Sequence, residues 1–434
     1  MRIPLDVVEL EERIERNRNR LLTGEEYSIK RVFPSVTEYD WKGDMEGRAL
    51  LAFMSHYKIN RSILPCMEQF LSEYREKTGG KLYFEAAENA RGILSEQQLS
   101  GHSWLLRGFC EHYECFGDRL SLEAIKTITE ALYLPLLPKL ASYPLTRNER
   151  SCGGVSGEQT RVVNGWHLST DTGCAFMSID GLSHAYGVTS DGRIKELLDA
   201  MTDVFMKLDK VAVQAQMHCT LTAARGMLRM YRLTAEEKYL NFAKEIYTLY
   251  TQSGMTYTYQ NLNWWGRPDS WSEPCAVVDS LMLSLALYKV TGEETYRRTA
   301  ARIYANGFAS MQRDNGGAGT DTLVTPGGKD FLRCRTYEAW FCCTMRLAEG
   351  LWYINANREL LYTERYGRPT KNENGVYMDG DIVFAAVEGG AEQYAGNKSM
   401  AEVDGLTLMP LVKYYKVPRK VMENSIQHVL YGKN

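Results

Sequence analysis

The sequence lacks any run of about 18 apolar residues, so nothing in it reads as a membrane-spanning helix. It also lacks an excess of either charge: 51 Lys and Arg stand against 54 Asp and Glu, a net charge of -3. Such a balance gives no electrostatic ground for binding nucleic acid or an anionic membrane. The opening MRIPLDVVELEERIERNRNR mixes charged with apolar positions and has no apolar stretch of the kind a secretory signal needs. It reads as an amphipathic helix. Without such a signal, the ten cysteines are expected as thiols in a reducing cytoplasm, not as a disulfide framework. Most of them, such as Cys110, read as small buried apolar residues.

Helical periodicity is what the chain has in quantity. Three segments, LSHAYGVTSDGRIKELLDAM, GMLRMYRLTAEEKYLNFAKEIY and LSLALYKVTGEETYRRTAARIY, each end an apolar helix on a tyrosine (Tyr186, Tyr231, Tyr288). A turn of the form Y-x-[VL]-T-[SAG]-[DE] follows, and its threonine is expected to cap the next helix. A looser copy, FCEHYECFGDRLSLEAIKTI, lies upstream. Long loops rich in Gly, Trp and polar residues fill the remaining gaps, where function tends to reside. The pattern predicts a mainly α protein, a toroid of (α/α) hairpins with its loops at one mouth; an open superhelical stack is the alternative. After about residue 357 short β-like alternation replaces the long helical runs. Residues 1–357 are therefore expected as a helical barrel and 358–434 as a short β-containing region, ending in a helix over RKVMENSIQHVLYG.

Two cysteines stand side by side in WFCCTMRL, Cys342 and Cys343, at the head of a predicted helix. WSEPCAVVDSL places Glu273 and Cys275 two apart at the head of another. Three sulfurs and a carboxylate form a donor set that zinc accepts. Small buried thiols are the plainer reading of the same residues.

E-x-C and C-C, each at a helix start, resemble the β-L-arabinofuranosidases of glycoside hydrolase family 127. RLLTGEEY with WKGDMEGRALLAF, HCTLTAARGMLRMYRLTAEEKYL and VYMDGDIVFAAV resemble other parts of that family, over most of residues 20–385. The resemblance implies an (α/α)6 barrel followed by β material, and a zinc ion held by Glu273, Cys275, Cys342 and Cys343. It further implies that Cys342 is the nucleophile of a retaining hydrolase, its thiol activated by the metal. A small sugar such as a β-L-arabinofuranoside would be the substrate.

The chain departs from the family at the acid/base. Tyr257 occupies the matching offset, and Asp269 is the only acid between Glu245 and Glu273. Asp269, Glu338 and Asp171 are the candidate proton donors. His218, at a position matching a family histidine, and His167 are candidate sugar contacts. Trp166, Trp264, Trp265, Trp271 and Trp340 fall in the loops and suit the apolar faces of a sugar ring. Asp44 and Glu46 read as first-turn helix acids. A catalytically silent carbohydrate-binding relative with a structural zinc, and a sugar epimerase or isomerase, are the alternatives; a homo-oligomer is left open.

Overall fold

The computed structural model describes residues 1–33, 41–146, 156–319, 338–386 and 400–416. The chain is mainly α-helical with a small strand region towards its C-terminal end, as the sequence predicts. It divides into two compact units: Leu22–Ser253 with Trp264–Arg267, and Met1–Leu21 with Gly254–Asn263 and Pro268–Asn434.

The chain opens on β1 (Arg2–Ile3) and α1 (Val7–Thr23). The first unit then holds α2 (Ile29–Val32), α3 (Asp44–Asn60), α4 (Pro65–Lys77), β2 (Leu94–Ser95), α5 (Glu96–Phe116) and α6 (Arg119–Ile128). It continues with β3 (Gln159–Val163), β4 (Trp166–Ser169), α7 (Ser178–Thr189), α8 (Gly192–Lys207), α9 (Met217–Thr234) and α10 (Glu237–Ser253). Helices α3, α5, α7 and α9 pack successively against one another. They are buried on every side; α5 is buried without a break from Glu96 to His112. Their partners bury one stripe only, as α6 does with Ser121, Ala124, Ile125 and Ile128. The inner helices touch through glycine. A Cβ on Gly47 would sit 2.2 Å from the Leu105 nitrogen, and one on Gly226 would sit 2.6 Å from the Asp180 nitrogen.

The repeated tyrosine marks a helix end, as predicted. The carbonyls of Tyr186 and Tyr231 accept from the amides of Ser190 and Ala235, residues in the left-handed region at φ 55° and 58°. In the second unit Tyr288 does the same with Gly292. The threonines do not cap the following helix. Each is the last residue of its own helix, where carbonyls lack intrahelical partners. Thr189, Thr234 and Thr291 donate to the carbonyls of Ala185, Met230 and Leu287 at 2.7, 2.9 and 2.9 Å. The cap of α8 is Asp191, which accepts from the Arg193 amide at 2.9 Å.

The second unit contains α11 (Pro274–Thr291), α12 (Glu294–Arg302), a π-helical turn at Ile303–Phe308, α13 (Ala309–Met311) and α14 (Cys343–Asn355). Helix α11 is long and apolar enough to cross a membrane, yet 72% of that stretch is buried in the protein, which marks a core helix. The side chains of α1 reach the same core: Arg13 donates to the Ala309 carbonyl at 3.0 Å and Asn17 to the Thr344 carbonyl at 3.1 Å. β5 (Thr363–Glu364) pairs antiparallel with β1. Strands β6 (Thr370–Lys371), β7 (Tyr377–Asp379), β8 (Ile382–Ala386), β9 (Ala401–Val403) and β10 (Leu406–Pro410) form an antiparallel sheet in the order β6-β7-β8-β10-β9. Ile382, Phe384, Val403 and Leu408 pack with Ala305 of the π turn. The helix expected over RKVMENSIQHVLYG lies outside the described residues.

Candidate metal centre

Two helix starts build the cluster. Pro274 opens α11, with Glu273 at its N-cap and Cys275 in the first turn. Cys342 is the N-cap of α14 and Cys343 its first residue. The turn before α14 closes through the Cys343 amide, which donates to the Ala339 carbonyl at 3.0 Å. One turn into each helix a fully buried ion pair joins them, Arg346 Nη2 to Asp279 Oδ1 at 2.7 Å. Asp279 lies four residues after Cys275 and Arg346 four after Cys342, so this pair sets the register that brings the two starts together.

The result is a buried group of four donors. Sγ of Cys343 is 3.5 Å from Sγ of Cys275 and 3.3 Å from Sγ of Cys342. The donor atoms of Glu273, Cys275, Cys342 and Cys343 all lie within 4.8 Å of one another and could hold a metal ion. Tetrahedral Zn–S bonds of ~2.3 Å place sulfurs ~3.8 Å apart, a few tenths of an ångström wider than found here. Burial pushes the Cys275 and Cys343 thiols well above their ordinary value, so on their own both stay protonated at neutral pH. A divalent cation shared by the four donors reverses this by stabilising thiolate. The donors fit such an ion.

Of the remaining sequence-predicted residues in this unit, Glu338 is the most engaged. Its carboxylate accepts from Arg20 Nη2 at 2.8 Å, from Asn315 Nδ2 at 2.9 Å and from the Thr344 hydroxyl at 2.9 Å. Asp269 lies exposed in a turn. Trp271 is 8% exposed, and the half-buried Trp340 meets Phe341 edge-on at 5.7 Å.

The first unit has its own buried polar cluster. His218 on α9 stacks on Trp104 of α5, the rings 5.6 Å apart and 13° from parallel. Its Nε2 lies 3.5 Å from Nη2 of Arg48, which pairs with Asp44 at 2.8 Å and lies 4.3 Å over Trp104. Asp44 and Glu46 do fall in the first turn of α3, and both are buried. Sequence reasoning passed over Trp104 and Arg48 because both sit inside helices, where an aromatic or an arginine reads as packing. Asp171 is buried and accepts from the Ser156 hydroxyl at 2.9 Å and the Gly157 amide at 2.8 Å. Burial, with smaller contributions from the Asp44 and Glu96 carboxylates, pushes its carboxyl up to about 7. His167 Nδ1 lies 2.8 Å from Oε1 of Glu88.

Three of the five tryptophans are interior. Trp264 and Trp265 are 0% exposed and Trp166 is 1% exposed. Trp265 Nε1 donates to the Thr220 hydroxyl at 3.1 Å, and Trp166 meets Tyr143 edge-on at 5.0 Å. Protein covers their ring faces, so in this conformation they are packing residues with no face open to a sugar. Their loops read as exposed because they are polar, but the loops fold inward over these rings.

No family model matches the chain, and no curated protein matches it. Solved structures do. A glycoside hydrolase superposes with a TM-score of 0.53 at 14% identity, covering 85% of this chain and 65% of that one. An unsaturated glucuronyl hydrolase specific for heparin superposes at 0.52 with 11% identity, covering 82% and 100%. A GH127 β-arabinofuranosidase gives 0.47 at 13% identity, covering 88% and 63%. The chain thus spans less than two thirds of the length of the first and third of these. At such identities the likeness is one of fold, and the fold is that of the (α/α)6 glycoside hydrolases.

Proposed function

We propose that the chain is a glycoside hydrolase that works with retention through the thiolate of Cys342, with zinc in the centre formed by Glu273, Cys275, Cys342 and Cys343. The observation that carries this reading is the convergence of those four donors. All three cysteines are buried, and Cys342 is the least so as a residue, 5% exposed against 1% for Cys343 and 0% for Cys275. A bound zinc ion would keep the thiols deprotonated at neutral pH. Sγ of Cys342 attacks the anomeric carbon as the glycosidic C–O bond breaks, leaving the sugar on sulfur. The departing oxygen takes a proton from a carboxylic acid; water then displaces the sulfur, giving a proton to the resulting carboxylate and returning the free sugar and the thiolate. Asp269, exposed and in the same unit as Cys342, is the proton donor in this reading. The resemblance to family 127 supports a small L-arabinofuranoside as substrate, and Trp271 and Trp340, in the unit that holds the four donors, are the sugar contacts in this reading.

Activated aryl glycosides test the proposal, because an aryl oxide leaves with little protonation. Zinc-loaded protein should release the aryl alcohol from a furanoside, and Cys342→Ala should abolish release. With Tyr257 where the family keeps its acid, alkyl glycosides should be cleaved far more slowly. Sugar binding without release from any furanoside or pyranoside would instead favour the silent carbohydrate-binding relative.

A further inference from the structure

We propose that Glu338 is a positioning residue for the four-donor centre, the anchor through which α1 fixes the turn that presents Cys342 and Cys343. The proposal rests on the reading of that cluster as a metal site. Glu338 lies just before the turn and Thr344 in the first turn of α14, immediately after the two cysteines. The Thr344 hydroxyl donates to Glu338 Oε1 at 2.9 Å and accepts from the Ala318 amide at 3.0 Å. The Ala339 amide donates to the Ala318 carbonyl at 2.8 Å. Two residues of α1 grip the same turn: Arg20 pairs with Glu338 at 2.8 Å, and Asn17 Nδ2 donates to the Thr344 carbonyl at 3.1 Å and to the Gly316 carbonyl at 3.1 Å. Gly317 leaves room for the carboxylate; a Cβ there would lie 2.4 Å from Glu338 Cδ.

In each of these contacts Glu338 serves as an acceptor, which suits a fixed strut and not a group presenting a proton to substrate. Neutralising it frees the Thr344 hydroxyl and weakens the hold of Arg20. The turn then loses its link to α1, and the two sulfurs lose their fixed placement relative to Cys275. Groups that orient ligands in this way typically govern metal affinity by about 10- to 100-fold.

Zinc alone is the probe. Its affinity is measured by competition with a chromophoric chelator, and the melting temperatures of zinc-loaded and stripped protein are measured alongside. Bound metal raises the melting temperature of the loaded form in proportion to the logarithm of affinity. Glu338→Gln should weaken zinc binding by about 10- to 100-fold and narrow the loaded-minus-stripped gap. Thr344→Val should shift both in the same direction, and Glu338→Asp should restore part of the affinity. Unchanged zinc affinity in Glu338→Gln, with loaded and stripped forms destabilised equally, would reduce Glu338 to an ordinary ion-pair partner and overturn the proposal. Wild-type affinity with cleavage of alkyl glycosides lost far more than that of aryl ones would overturn it in favour of a proton donor. If wild-type protein itself binds no zinc, the metal-site reading has failed, an outcome distinct from either of these.

Discussion

The sulfur of Cys275 lies 3.5 Å from that of Cys343, although 68 positions of chain separate them. Their helix starts meet because Arg346 and Asp279, each one turn further in, form an ion pair with both side chains at 0% exposure. Removing one partner of a buried pair strands the other charge and costs about 3–5 kcal/mol. Glu349 also pairs with Arg346, so Asp279→Ala is expected at the lower end, about 3 kcal/mol. Urea unfolding should show the loss as a lower midpoint with an unchanged slope. Zinc retention should fall in the same variant, because the register of the two cysteine-bearing helices depends on the pair.

Asp171 predicts a pH dependence of stability. Its folded carboxyl is pushed up to about 7 by burial, against an ordinary value of 3.8. The folded state therefore holds a proton that the unfolded chain releases, and its contribution is complete below about pH 4 and is lost as pH rises through 7. Unfolding midpoints measured from pH 4 to pH 8 should fall with pH in the wild type, and Asp171→Asn should flatten that part of the fall. Parallel curves for the two proteins would show that Asp171 is not held protonated.

The glycine contacts between inner helices predict a contrast. Gly47→Ala would drive a methyl to 2.2 Å from backbone, whereas a Cβ at Gly192 would meet nothing within 4 Å. Overpacking of that kind costs about 1–3 kcal/mol or more. Gly192→Ala should instead stabilise by about 0.4–1 kcal/mol, through the unfolded chain. Thermal unfolding of the two variants beside wild type reads both signs.

The cysteines of the centre differ in role. Cys343→Ser should lower zinc retention, whereas Cys342→Ser should impair turnover more than folding. Metal content and aryl-glycoside release, measured on the same preparations, separate the two effects.

Much of this was legible in the sequence where the signal was local. The tyrosine turns mark helix ends because a left-handed residue must follow the last turn, and the spacing of E-x-C and C-C placed both at helix starts. The threonines misled because a Thr followed by an acid has the pattern of an N-cap, while the structure uses its hydroxyl at the end of the preceding helix. Trp166, Trp264 and Trp265 misled because the polarity of a loop does not say which of its side chains turn inward. The grip of α1 on Glu338 and Thr344 was invisible, since Arg20 and Glu338 meet across 318 positions with no local pattern to announce it.

Metal analysis of the purified protein tests the central claim most directly. Elemental analysis combined with X-ray absorption, on protein prepared under reducing conditions without chelator, should give about one zinc per chain with three sulfurs at ~2.3 Å and one oxygen at ~2.0–2.2 Å. Absence of zinc from such a preparation, or zinc retained equally by a Cys275→Ser and Cys343→Ser double variant, would contradict it.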